Sequence, residues 1–168
     1  MNSLQDLPPE LRIALESIYE EIMWLAHRPN VTAGRARGWY THIMAESVKR
    51  QIRQFTGQVS QSAVSSVGMD LRLEHYKRIQ TTLTGMVERH RQDRRKDPEE
   101  FVRTIFDYER VHIVTVKEDY DAMRAGGCYQ SAGIQLIPWE QIPEVRRSEL
   151  WLKMLRGKVS NGGLFRCQ

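Results

Sequence analysis

Three acids follow the most strand-like run of the chain. Val111-His112-Ile113-Val114-Thr115-Val116 is a β-branched stretch, and Glu118, Asp119 and Asp121 come directly after it. In α/β arrangements functional groups collect beyond the carboxyl ends of strands. Carboxylate oxygens at such a rim can hold a hard divalent cation that activates a nucleophile. The three acids are therefore the candidate catalytic residues of a metal-dependent nuclease. Only in that setting is a cofactor, a divalent metal, expected; otherwise none is. The same acids suit a helix N-terminus, whose dipole favours negative charge. Thr115 and Glu118 also have the spacing of a capping box. The strand expected next, residues 133–137, adds no acid.

A second set of residues could bind phosphate. Arg35, Arg37 and Trp39 interleave guanidinium groups with an aromatic ring, and Lys49, Arg50 and Arg53 follow on the same expected helix. Arg91, Arg94, Arg95 and Lys96 close the next one. Arginine on phosphate and rings on bases is the chemistry of single-strand binding, although basic residues at a helix C-terminus also suit its dipole. Arg37 and His42 are five apart. This is similar to the Arg-x4-His spacing of some helical ribonucleases of the HEPN class, in which the arginine stabilises phosphate charge and the histidine moves a proton. The flanking residues carry no further likeness to that class.

Other chemistries find little to stand on. His27, His75, His90 and His112 form no HExxH-type metal spacing, and no GxSxG, GxGxxG or GxxxxGK[ST] pattern is present. Gly126-Gly127 and Gly133 follow an expected helix instead of preceding one, which suits turns better than a phosphate cradle. Cys128 and Cys167 lie in no CxxC pair, so two free thiols of a reducing compartment are expected, not a disulfide framework or a zinc site. No apolar run is long enough to span a bilayer. The first nine residues lack the basic and apolar regions of a secretory signal. The expected location is the cytoplasm, with no membrane partner.

Composition and charge set the class. The 168 residues are 40% hydrophobic and 27% charged, which is ordinary for a globular chain. The formal net charge is +4, and the sequence pI is about 9.2. The charge comes in alternating blocks: −4 over residues 1–27, +5 over 28–69, +4 over 70–96, −5 over 97–140 and +4 over 141–168. Such blocks either pair within the fold or between chains, or present a basic surface to a polyanion.

The elements that must position these groups follow from periodicity. Pro8-Pro9-Glu10 starts a helix whose stripe is Leu11, Leu15, Ile18, Ile22 and Leu25, ending before Pro29. A second helix is expected over 28–56, capped by Asn30 or Thr32, with Tyr40, Met44, Val48, Ile52 and Phe55 inward and Gly57 as its stop. Residues 58–69, rich in serine and including Val59, Val64 and Val67, read as an ordered loop, a short helix against a partner or a flexible hinge. A third helix is expected from Asp70 to Gln92, and a fourth after Asp97-Pro98, an N-cap followed by proline at the first position. The strand at 111–116, a short helix to Arg124 and a strand at 133–137 suggest a βαβ unit. Two strands make a poor sheet, so either an earlier strand, covering helices or another chain must complete it. Pro143 opens a last helix with Leu150, Trp151, Met154 and Leu155 inward. Arg146, Arg147, Lys153, Arg156 and Lys158 lie around it, and residues 158–168 read as a loose tail.

The expected fold is α+β and predominantly α: an N-terminal helical part, a small strand-helix-strand unit and a C-terminal helix. One domain, 1–168, is expected, with a possible division into 1–57 and 70–168. Two functions fit. One is a nucleic-acid-associated protein that binds DNA or RNA phosphate through basic helices, with a nuclease as its subset. The other is an interaction module (inhibitor, adaptor or assembly subunit) whose charge blocks meet another protein or a second copy.

Overall fold

The computed structural model describes residues 4–43, 46–66, 68, 70–77 and 79–167. In chain order the elements are α1 (Pro9–Ala26), α2 (Ala33–Gly38), α3 (Glu46–Ile52), β1 (Gln54–Ser60), α4 (Gln61–Ser65), β2 (Leu71–His75), α5 (Ile79–Gln92), α6 (Pro98–Tyr108), β3 (Arg110–Thr115), α7 (Val116–Arg124), β4 (Leu136–Pro138) and α8 (Glu144–Leu150). The fold is α+β and predominantly α. It divides into two compact units: Met1–Gln51 with Arg78–Tyr108, and Ile52–Lys77 with Glu109–Gln168.

The first unit is a helical bundle. Leu11, Leu15, Ile18, Tyr19 and Ile22 of α1 are buried with Ala36 of α2, Leu83, Met86 and Val87 of α5, and Phe101, Val102 and Ile105 of α6. Each of the leucine, isoleucine, valine, methionine and phenylalanine side chains contributes about 1.5–3 kcal/mol when fully buried. Phe101 anchors the core through tilted and edge contacts to Tyr19 and Tyr40, with ring centroids 5.6 and 5.9 Å away. Caps fix the helix starts. Proline opens α1, the Thr32 hydroxyl accepts the N–H of Arg35 at the start of α2, and Asp97 Oδ1 accepts the N–H of Glu100 at 2.9 Å.

The second unit is built on a four-stranded sheet in the order β2-β3-β1-β4. β1 runs parallel to β3, while β2 and β4 are antiparallel to their neighbours. Alternation of side chains turns Phe55, Val59, Val111 and Ile113 into a core completed by Trp139, Leu150 and Leu155. Partners that face each other in the ladder, Glu74 with His112 and Arg72 with Val114, lie on the other face.

Several expectations are corrected. The helix foreseen over 28–56 is present in pieces: α2 to Gly38, a π-helical turn over Trp39–Ile43, and α3 over Glu46–Ile52. From Gln54 the chain is a strand, and Gly57 is not a helix stop. It sits inside β1 at φ 79°, where the register to β3 shifts, and a side chain there would press on the Phe165 ring. This is the behaviour of a glycine at a bulge. Within 58–69, read as loop, short helix or hinge, residues 58–60 finish β1, which was not foreseen, and Gln61–Ser65 form the short helix α4, with Ser60 accepting the N–H of Ala63. The helix foreseen from Asp70 begins as β2: Leu71-Arg72-Leu73-Glu74 alternates with period two, and only the residues from Ile79 follow the helical period. An earlier strand does therefore complete the sheet. The second expected strand shrinks to Leu136–Pro138 and pairs antiparallel with β1 instead of with β3, so the strand-helix-strand order β3-α7-β4 is kept without the parallel pairing of a βαβ unit. The expected loose tail is ordered: the Asn161 amide donates to the Phe55 carbonyl and accepts its N–H, both at 2.8 Å, and Phe165 packs against Phe55 and Trp139. Met44 and Val67, expected apolar positions, lie outside the described residues.

Candidate nucleic-acid interface

In the first unit the last turns of α1 and the turn after α5 enclose a cleft of about 540 Å³, lined by Glu20, Met23, Trp24, His27, Arg28, Arg94, Arg95 and Lys96. That volume lies within the range of about 300–1,000 Å³ typical of ligand sites. The lining holds four arginine and lysine side chains against one carboxylate. Met23 is buried, whereas Trp24, one residue on, is 61% exposed. A step of one residue turns a helix by about 100°, which carries the indole off the buried stripe. The Arg28 guanidinium lies 4.9 Å from the Trp24 ring centroid, a cation–π arrangement. Lys96 pairs with Glu20 at 3.1 Å, and Arg95 pairs with Asp97. Arg28 and Arg94 enter no ion pair among the described residues.

Arg94 occupies a special backbone position. The N–H of Arg95 bonds the carbonyl of His90 at 2.9 Å, and that of Arg94 bonds Arg91 at 3.4 Å. This is the double closure of a Schellman motif, whose left-handed residue is usually glycine. Here that residue is Arg94, at φ 50°, at a cost of about 1–2 kcal/mol relative to glycine.

A buried polar chain fixes the turn against α1. The N–H of Asp97 donates to the Tyr19 hydroxyl at 2.9 Å. Tyr19 meets His90 Nδ1 at 2.9 Å, and His90 Nε2 meets Glu100 at 2.9 Å. The pattern is satisfied when Tyr19 donates to Nδ1 and Nε2–H donates to Glu100. Burial raises the Tyr19 pKa, against the N–H of Asp97. The N–H of Glu100 holds the Asp97 carboxyl below its ordinary range, aided by Arg95 and opposed by burial.

The sequence-derived phosphate ligands have different surroundings. Arg94, Arg95 and Lys96 come together at the cleft. Arg91 turns away to Glu88 and the Val31 carbonyl. Arg37 donates to Thr84 and Thr41, and Lys49 to the Thr41 carbonyl, beneath the Tyr40 ring. Arg35 and Arg50 are exposed. Trp39, expected to stack on bases, donates its indole N–H to Glu21. His42, the partner of Arg37 in the Arg-x4-His spacing, is exposed on the π-helical turn. Arg53 belongs to the second unit, where it is mostly buried and pairs with Glu109 at 3.3 Å. Trp24 and Arg28 were not singled out in the sequence. The available signal was a large apolar residue lying off the α1 stripe.

The three acids likewise have separate engagements. Glu118 Oε2 accepts from the Ser60 hydroxyl at 2.6 Å and from the Thr115 N–H and hydroxyl at 2.9 and 3.0 Å, completing the capping box of α7. Burial pushes its pKa up, but these donors outweigh burial and hold it below the ordinary value. Asp119 pairs with Arg72 at 2.5 Å. Asp121 pairs with Lys117 at 2.8 Å, which holds its carboxyl down. No group of three or more His, Cys, Asp or Glu side chains among the described residues is arranged to hold a metal ion. In the same unit Arg146 donates to the Ala63, Val64 and Ser66 carbonyls at the end of α4. No helix among the described residues is long and apolar enough to cross a membrane.

Comparisons with protein-family models, with curated proteins and with solved structures find no match to this chain.

Proposed function

We propose that this chain binds nucleic acid through phosphate contacts at the cleft between the end of α1 and the turn after α5. The observation that carries the reading is the convergence of Arg28, Arg94, Arg95 and Lys96 around one concave surface with a single carboxylate in its lining. Guanidinium groups match phosphate oxygens in geometry as well as in charge. Arg28 and Arg94 can engage a phosphate without breaking an ion pair with another described residue. The reading concerns binding. Glu118, Asp119 and Asp121 are each engaged within their own unit, and cleavage is not assigned to them.

Binding of labelled oligonucleotides at about 50 and 200 mM salt tests the reading through counterion release, whose log–log slope is about −0.7 to −0.9 per phosphate neutralised. Arg94→Ala and Lys96→Ala are each expected to weaken binding and to flatten the slope by about one phosphate contact. Arg53→Met is expected to leave the slope unchanged. Absence of binding at the lower salt overturns the proposal and turns attention to an acidic protein surface as the partner. A slope indifferent to Arg94 and Lys96 overturns the placement of the site.

A further inference from the structure

Resting on that reading, we infer that the cleft takes an unpaired base, so that its ligand is single-stranded nucleic acid with a base against Trp24 and the neighbouring phosphate on Arg28 and Arg94. The first unit has two indoles near α1, in opposite situations. Trp39 is half-buried and spends its N–H on Glu21. Trp24 is 61% exposed, and its indole N–H has no partner among the described residues. It adjoins the buried Met23 as part of the cleft wall. An exposed ring in a concave wall offers a face for stacking, and a base has two faces to give. In a duplex both faces are covered by neighbouring base pairs, so a duplex can reach these cations only through phosphate. The Arg28 guanidinium lies over one face of the ring, so a base on the other face has a positive charge within reach, where the phosphodiester must pass. The left-handed turn at Arg94 sets a second cation on the opposite wall. The Tyr19–His90–Glu100 chain ties the start of α6 and the end of α5 to α1, so the backbone positions that carry the ring and the two cations are held relative to one another. Preorganisation of this kind favours a ligand that presents base and phosphate together.

The experiment uses the full chain with fluorescent single strands of about 12 nucleotides, within the span one binding module covers, as oligo(dT) and oligo(U), and a blunt-ended duplex without unpaired bases of similar phosphate number. Variants are Trp24→Ala, Trp24→Phe and Arg94→Ala, each checked for its melting temperature. Trp24→Ala is expected to weaken both single strands by about tenfold or more, in line with the loss of one base stack. It is expected to keep the salt slope and to leave duplex binding unchanged. Trp24→Phe restores most of the affinity, and the quenching of indole fluorescence by oligonucleotide in the parent disappears in both Trp24 variants. Equal affinity for single strands and duplex, with no effect of Trp24→Ala, overturns the inference while leaving phosphate binding at the cleft intact. Equal weakening of both ligands together with a lowered melting temperature assigns Trp24 a structural role and also overturns it. Absence of any binding overturns the inference and the proposed function together.

Discussion

The two units differ in what they leave exposed. In the second unit most of the polar groups drawn inside are paired, although His112 Nε2, the Tyr129 hydroxyl and Arg147 Nε have no hydrogen-bond partner among the described residues. Glu109, almost fully buried, holds Arg53 and His75. Glu118 takes three donors on one oxygen, and His112 Nδ1 meets the Thr56 hydroxyl at 2.6 Å. In the first unit a cleft gathers four cations and an exposed indole with one carboxylate among its lining residues. A charge that is buried and matched supports the fold, and its removal is felt as lost stability. A charge that is exposed, gathered and under-matched is available to a ligand, and its removal is felt as lost binding. The sequence block 28–69 contains both kinds of arginine, which shows why charge density along a chain does not by itself locate a site.

Arg53 gives the sharpest way to break this contrast. It is 12% exposed, and its partner Glu109 is 3% exposed. Arg53→Met removes the arginine from a buried ion pair and leaves the Glu109 carboxylate to His75, at an expected cost of up to about 3–5 kcal/mol in unfolding free energy. Urea unfolding reads the loss. Nucleic-acid affinity, measured below the new unfolding transition, is expected to be unchanged. A variant that keeps its stability and loses affinity would move Arg53 to the binding surface and undo the distinction between the units.

His112 supplies the next largest effect. It is buried on β3, with the rings of Tyr76 and Tyr129 at 5.6 and 5.5 Å. The Thr56 hydroxyl donates to the Val111 carbonyl, which leaves its oxygen to accept Nδ1–H and leaves Nε2 as a bare acceptor. Nε2 has no partner among the described residues. Burial lowers the His112 pKa from 6.5 to about 4. The folded state therefore binds fewer protons than the unfolded chain between these values. The stability this represents is fully present above about pH 6.5 and is lost as pH falls through about 4, an order-of-magnitude change of about 3 kcal/mol. Glu118, held below its ordinary value, adds its own loss at lower pH. Melting temperatures across this window are expected to fall steeply for the parent and to flatten for His112→Phe, which keeps the ring contacts. An equal fall in both would place the acid sensitivity elsewhere.

The features legible in the sequence were those with local causes. Pro9, Thr32, Asp97-Pro98 and the Thr115–Glu118 box mark helix starts because capping is settled within four residues. The α1 stripe and the strand at 110–115 were equally plain. β1 and β2 were hidden for a physical reason. Phe55, at helical spacing from Ile52 and Val48, prolonged a helical pattern. Leu73, Tyr76 and Ile79 did the same across the junction of β2 and α5, so two periods overlapped and the longer prevailed. The cleft was half legible. Arg94, Arg95 and Lys96 stood out as a cluster, but Trp24 and Arg28 join them only through the packing of α1 against α5 and α6. Trp39, expected to stack on bases, donates its indole N–H to Glu21, a contact that no spacing predicts.

The smallest expected effect separates the two kinds of residue most directly. Arg94 stands at φ 50° in the closing turn of α5, a position that glycine occupies without steric cost. Arg94→Gly therefore removes backbone strain, offset in part by the greater freedom of glycine in the unfolded chain. A net gain of about 0.5–1 kcal/mol in stability is expected, read as a small rise in melting temperature. The same change deletes a cation that no described carboxylate offsets, so nucleic-acid affinity falls and the salt slope loses about one phosphate contact. Gain of stability with loss of binding is the signature of a residue held for its ligand at the expense of the fold. Arg94→Lys, which keeps the strain and the charge, is expected to match the parent in stability and to retain part of the affinity, since an ammonium lacks the bidentate fork. If Arg94→Gly instead loses stability, the arginine side chain supports the turn through packing. The cleft would then resemble the second unit, where polar groups serve the fold.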